Sequence, residues 1–515
     1  MPDERQILSS TVLDGIQTHH FANETAPAAE IVAAMRVLVD EPDDAAMVAL
    51  HDALAERRAL AVADDLCREL RAAALPTERV RSVARQLTDL GTRRNAVALG
   101  IVMLGVVGDS RDREVLLTLG ALGDLTLYAA VALANSQPDR DRAVFELARR
   151  VDGWGRIHAV ERLARTGDPE IKAWLLRDGF RNEVMNEYLA HLAATTGDLR
   201  AALAESVVDD ALLDGAAEIL DALSGIGGPA ADMRQYPDAL PVLARFAELL
   251  GAAEPTLSRI SVVQSIRNLL REPPAEVDWP PAETTRLAEV CAALLVRPDW
   301  AEYVTARLAD PHGPFGFNRA LRLSKAVGID AYAQAVAHLG DDSRNGYVWA
   351  WVAQRTPDDD VARIADLARA LLPLDEIACG PGAGVIRWGE EGISDSILES
   401  VLSMLGRATP GTGEALVRAA LRGYPVRLRR AAIGVLTAWY DHELPTEIAG
   451  RVAAAAEVEP DDDLRAQLIE FLRASGESVP RCAEDGLAAH PVSAQGEDRR
   501  SDRREETIGG VQDSS

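Results

Sequence analysis

Lysine is almost missing from this chain: Lys172 and Lys325 stand against 52 arginines. The imbalance reads mainly as a GC-rich, bacterial-like coding bias, although arginine also makes bidentate contacts that lysine cannot. Aromatic residues are scarce too, at 4%, so alanine and leucine supply most of a 48% hydrophobic content. Sheets favour aromatic and β-branched residues, whereas small and unbranched ones let helices approach closely. The four cysteines, Cys67, Cys291, Cys379 and Cys482, are far apart and form no Cys-x-x-Cys pair. That spacing argues against a disulfide framework or zinc ribbon and fits a reducing cytosol. No apolar run reaches the ~18 residues of a membrane span. The opening Met-Pro-Asp-Glu-Arg has no signal-like apolar core. A cytoplasmic protein without membrane contact is the expectation. The net charge of -27 repels phosphate backbones on average, so nucleic acid is not an expected partner.

What the chain does contain is a repeated corner. Gly108-Asp109, Pro138-Asp139, Gly167-Asp168 and Gly197-Asp198 recur with Asp-to-Asp steps of 30, 29 and 30 residues. That period accommodates two helices and two tight turns, which predicts an all-α fold, an α-α superhelix of stacked helical hairpins. Each corner is Gly-Asp or Pro-Asp, and Gly167 is expected to take the left-handed conformation that ends a helix. Asp109, Asp139, Asp168 and Asp198 are then the N-caps of the following helices. Pro169 and Glu170 suit the first turn that Asp168 opens.

The segment Gly155-Arg-Ile-His-Ala-Val-Glu-Arg-Leu-Ala-Arg-Thr-Gly-Asp-Pro-Glu170 resembles the short HEAT-like repeat. In that family an arginine-bearing helix with Ala-x-x-x-Leu runs into a Gly-Asp-Pro turn. Tyr424-Pro-Val-Arg-Leu-Arg-Arg-Ala-Ala-Ile-Gly-Val-Leu436 is similar to the opening of another repeat, and 461–472 more weakly so. The resemblance covers about 93–215 and 320–475. It implies a binding scaffold with no catalytic residues of its own, while some HEAT-like proteins are lyases or base-excision enzymes. A tetratricopeptide array would need a 34-residue period and its own Trp/Gly/Tyr pattern, neither of which is present.

The expected organisation is an N-terminal helical region over 1–92, a HEAT-like array over 93–270 and a second, divergent array over 282–475. Further corners are expected at Gly225–Pro229, Gly340-Asp341, Pro357-Asp358 and Pro410-Gly411. Between the arrays, four prolines within 271–281 break any helix and suggest a hinge or a linker between two halves. Residues 476–515 read as a disordered tail.

Candidate chemistry is sparse. The glycine-rich run Cys379–Gly389 lacks the Gly-Lys-Ser/Thr of a phosphate loop and reads as a long inter-helix connection. Neither a nucleophile elbow nor His-Glu-x-x-His occurs. Adjacent His19 and His20 point in different directions on a helix. His158 with Glu161 and Glu187 with His191 share helix faces, and stacking could bring the two pairs together. Neither matches the Glu-x-x-His of di-iron bundles, so surface ion pairs are expected, with no metal and no cofactor.

Tryptophan beside arginine is a composition of binding hot spots. Trp154, Arg156 and His158, then Tyr347, Trp349 and Trp351, then Arg387 and Trp388, lie near expected helix starts and are the candidate contact residues. Filling gaps between alanine-rich helices is the competing role for each tryptophan. One basic island, Arg418, Arg422, Arg427, Arg429 and Arg430, has no acidic residue between Glu414 and Asp441. It is one repeat long, so pairing with acidic neighbours is expected over a phosphate track. The leading expectation is a non-enzymatic scaffold binding a protein or peptide, favouring a partner with a basic face. An enzyme or ligand-handling protein with its site near Trp154, Arg156 and His158 is the alternative, and nucleic-acid binding through 418–430 the third.

Overall fold

Alanine and leucine at three- and four-residue spacing give each segment an apolar stripe that must be covered by a neighbouring helix. The computed structural model describes residues 15–19, 26–310, 314–440 and 444–474. Among these the chain is all-α and contains no strand. Two compact units divide the chain. One comprises residues up to 307 together with 319–329, and the other 308–318 together with 330 onward.

In the first unit helices pack on their successors, on the helix after that, or on both. Arg94–Val107 packs on Gly123–Ser136, which packs on Gly153–Glu161, followed by Glu187–Thr196, Asp210–Leu223 and Leu257–Arg271. The intervening helices also meet, as Arg113–Gly120 does with Arg140–Ala148. Small residues set these approaches. A side chain at Gly105 would begin 3.1 Å from the Ala132 Cα, and one at Gly215 would run into the Leu176 carbonyl. The second unit repeats the scheme, Gly346–Arg355 packing on Glu390–Leu405, that helix on Val426–Trp439, and the last on Asp462–Ala474.

Helix packing does not begin at 93. Ala29–Asp40, Asp44–Ala55, Ala59–Ala73 and Thr77–Leu90 form the same succession and lead directly into Arg94–Val107. The proline-rich stretch breaks the helix, leaving 272–280 non-helical, but it is not where the units divide. Leu257–Arg271 and Pro281–Leu295 pack directly on each other across it, which holds both in the first unit. Residues 475–515 lie outside the described residues.

The four corners all fall between helices, but their chemistry differs from one to the next. Asp168 accepts hydrogen bonds from the Glu170 and Ile171 N–H groups, with Pro169 at the first helical position. Asp109 caps a short 3-10 turn, and Asp112 returns a bond to the Asp109 N–H in a capping box. Asp198 caps through the Ala201 N–H and itself takes the left-handed conformation, at φ 58°. Asp139 makes no cap bond; Arg113 takes both of its oxygens, each at 2.7 Å. Gly167 is not left-handed, nor are Gly108 and Gly197. At Gly108 and Gly197 the absence of a side chain matters for space, because a Cβ would lie 2.3 and 2.5 Å from carbonyl oxygens of the preceding helix turn. In the second unit Pro357-Asp358 and Pro410-Gly411 lie between helices as expected, whereas Gly340-Asp341 ends a helix and the corner follows at 342–345.

A second regularity runs through the corners. An arginine of one hairpin reaches a carboxylate about one repeat further on: Arg81 to Asp112, Arg113 to Asp139, Arg142 to Asp168, Arg177 to Asp209 and Arg200 to Asp238. Arg81 holds Asp112 through two 2.7 Å bonds, and Asp112 is fully buried. In the second unit Arg429 and Glu459 form a pair in which both partners are buried. Hydrogen bonds from Arg113 hold the Asp139 carboxyl below its ordinary range, and those from Arg177 do the same for Asp209.

Replacing Asp168 with alanine leaves two first-turn N–H groups without their acceptor. A loss of about 1 kcal/mol in denaturant unfolding is expected. An unfolding midpoint equal to wild type would contradict the cap.

Candidate functional site

The first candidate region starts at Asp152. Its side chain accepts from the N–H groups of Gly153 and Glu183, fixing the entry to the Gly153–Glu161 helix. Trp154 and His158, one turn apart, then share a face of that helix. They do not face solvent: Trp154 is 7% exposed and His158 2%. The physical reason is a short helical segment, Gly15–His19, laid against them. A Cβ on Gly15 would sit 2.3 Å from the Trp154 ring, so glycine is what permits this approach.

His19 lies one turn beyond Gly15 and completes a ring cluster. Its imidazole is 5.3 Å from the Trp154 ring, 5.7 Å from that of His158, nearly parallel to it, and 5.2 Å from Tyr188. Glu161 closes the group, its carboxylate oxygens 3.6 Å from His19 Nε2 and 3.8 Å from His158 Nδ1. Burial pushes the Glu161 carboxyl up, but His158, His19 and Arg162 together outweigh it and hold the group below its ordinary value. The Glu187–His191 pair, which stacking could have brought here, does not join the cluster: His191 Nε2 lies 3.1 Å from the Gln235 carbonyl. Arg156 is likewise a tie within the fold, donating to the Val151 and Arg181 carbonyls. Trp154, Arg156 and His158 are therefore not a contact surface.

Sequence reasoning set His19 aside with His20 and missed its place beside His158 and Glu161. Its signal was Gly15 four residues earlier, which puts a small residue and an imidazole on one helix face. His20 lies outside the described residues.

The second region is in the other unit. Trp349 is fully buried and donates its indole N–H to the Ser343 carbonyl, which corrects its assignment as a contact residue. Trp351 is half-buried beneath the Arg355 guanidinium, 4.4 Å from its ring centre. Tyr347 and Trp388 are exposed, Trp388 by 83%.

The glycine-rich run explains that exposure. Residues 379–389 form an inter-helix loop, as expected, pinned along the 422–426 turn by three backbone bonds: Gly380 N–H to Arg422, Gly382 N–H to Tyr424, and Val426 N–H to Gly384. A Cβ at Gly382 would collide with the Tyr424 ring at 2.4 Å. Arg387 turns inward and clamps the buried Asp395 at 2.8 and 3.0 Å, which removes it from the candidate contacts. Burial dominates in pushing the Asp395 carboxyl above its ordinary value, with Arg387 opposing. With Arg387 fixed inward and Gly389 at φ +85° starting the next helix, Trp388 points outward. Val385, Ile393 and Tyr424 are also exposed. Arg344, three residues before Tyr347, pairs with Glu390, two residues after Trp388.

The basic island is mostly consumed by pairing, as the sequence suggested. Arg429 is buried against Glu459, Arg427 meets Glu399 at 2.8 Å, and Arg430 lies 3.9 Å from Asp461. Arg418 and Arg422 are exposed but share a shallow groove with Asp375 and Glu376. Among the described residues no helix is long and apolar enough to cross a membrane. Comparison with protein-family models, with curated proteins and with solved structures found no match to this chain.

Gly15→Ala places a methyl group inside the Trp154 ring. Overpacking of this kind costs about 1–3 kcal/mol. Faster amide hydrogen exchange over 15–19, with the later helices unaffected, is the expected result. Unchanged exchange there would contradict the seating of this segment on Trp154.

Proposed function

We propose that the chain is a HEAT-like helical-repeat scaffold that binds a protein or peptide through the surface around Trp388. The observation that carries this reading is Trp388 itself, 83% exposed on a loop fixed by three backbone hydrogen bonds and the Arg387–Asp395 clamp. Leaving a large aromatic ring in water forgoes the free energy of its burial, and a fixed loop loses little entropy on binding. Val385, Ile393, Tyr424 and Tyr347 supply further exposed apolar area within the same unit. Large exposed apolar residues gathered on one stretch are a mark of interaction surfaces.

Charge selects the partner. Glu390 and Glu391 are strongly exposed beside Trp388, in a chain of net charge -27. The partner this favours is a protein segment with an apolar anchor flanked by basic residues, captured faster at low salt. Nucleic acid is not part of the proposal, because three of the five island arginines are already paired within the fold.

Parallel captures from the native host with wild-type protein and Trp388→Ala test this. A protein retained by the wild type, weakened by salt and lost with the variant is expected, with affinity for that isolated protein down about 30-fold, as for a central aromatic worth about 2 kcal/mol. Equal retention by both proteins would overturn the reading.

A further inference from the structure

His158 is the least satisfied polar side chain near the ring cluster. It is 2% exposed, and neither ring nitrogen has a hydrogen-bond partner. A buried polar group without a partner is costly, and in a native fold it calls for an explanation. The nearest acceptor, Glu161 Oε2, stands 3.8 Å from Nδ1, beyond hydrogen-bond reach but suited to a shared third atom between them. His19 brings a second imidazole to the same carboxylate at 3.6 Å. One ligand atom from each of the three residues lies within 4.8 Å of the others.

We propose that His19, His158 and Glu161 bind a divalent transition-metal ion. Two imidazoles and one carboxylate form a nitrogen–oxygen donor set of the kind that takes zinc, cobalt or ferrous iron. With bonds of about 2.0–2.2 Å, an ion holds its ligand atoms within about 4.4 Å of one another. Each histidine already has one Glu161 oxygen within that limit, Oε1 for His19 and Oε2 for His158, and a small side-chain adjustment gathers the set. Three protein ligands leave a position open to water or a small anion.

The surroundings suit such an ion. Trp154 and Tyr188 wall the cluster with rings 5.0 Å apart, which lowers the local polarity and strengthens the attraction of Glu161 for a cation. The three ligands come from two separated stretches of chain, so the ion would also tie the 15–19 segment to the Gly153–Glu161 helix.

The test uses the full chain, stripped with a chelator and titrated with zinc by calorimetry and with cobalt by visible absorption. Uptake of one ion per chain is expected, with ligand-field bands of a low-symmetry nitrogen–oxygen site and a raised melting temperature. His19→Ala, His158→Gln and Glu161→Gln should each weaken zinc binding by more than about 100-fold, beyond the roughly 10–100-fold typical of losing an outer hydrogen bond to a ligand. Should the buried His158 variant fail to fold, His19→Ala decides, because it changes only the short covering segment. Absence of stoichiometric uptake by the wild type would overturn the proposal, as would equal affinity in the folded variants.

Discussion

The interaction on which the rest of the structure depends is the arginine that reaches from one hairpin to a carboxylate at or near the next corner. Repeats stacked through alanine and leucine alone could slide, since small apolar faces specify register weakly. A planar guanidinium gripping a carboxylate with two bonds does not slide. Arg81 does this from the margin of the packed layers onto the fully buried Asp112, and Arg429 on Glu459 does it where both partners are buried. Taking such charges out of water costs several kcal/mol per ion, so they add less to stability than to uniqueness of stacking. The large excess of arginine over lysine thus has a structural use.

The corner spacing was legible because an aspartate before a helix is a local signal, set by N–H groups within three residues of it. What each aspartate does was not legible, because it depends on the neighbouring hairpin. Asp168 caps, whereas Asp139 gives both oxygens to Arg113 from the preceding hairpin. Gly167 was assigned a left-handed conformation that the chain places instead at Asp198, whose short polar side chain tolerates it. The proline-rich stretch was correctly read as non-helical. Helix interruption is local, whereas the packing of Leu257–Arg271 on Pro281–Leu295 across the stretch is not, so the break does not divide the two units.

The candidate residues divide for the same reason. Trp154, Trp349 and Trp388 have similar surroundings in sequence, each with an arginine within a few residues. Their fates follow from contacts made at a distance: Trp154 is covered by Gly15–His19, Trp349 is packed inside its unit, and Trp388 is turned outward by Arg387 binding Asp395. The ring cluster belongs to the first unit and the exposed aromatic patch to the second. A metal ion in one and a partner on the other are independent proposals. Loss of either would leave the other standing.

The central claim is that the inter-hairpin arginine pairs act as couplings and not as incidental neighbours. A double-mutant cycle on the most buried pair of the first unit tests it most directly. Unfolding free energies would be measured for wild type, Arg81→Met, Asp112→Asn and the double variant. Asp112 also serves a capping box, and the cycle subtracts that contribution because it is lost in both Asp112 variants. A coupling of about 1–3 kcal/mol between the two positions is the predicted result. Additive single effects, with coupling near zero, would contradict it.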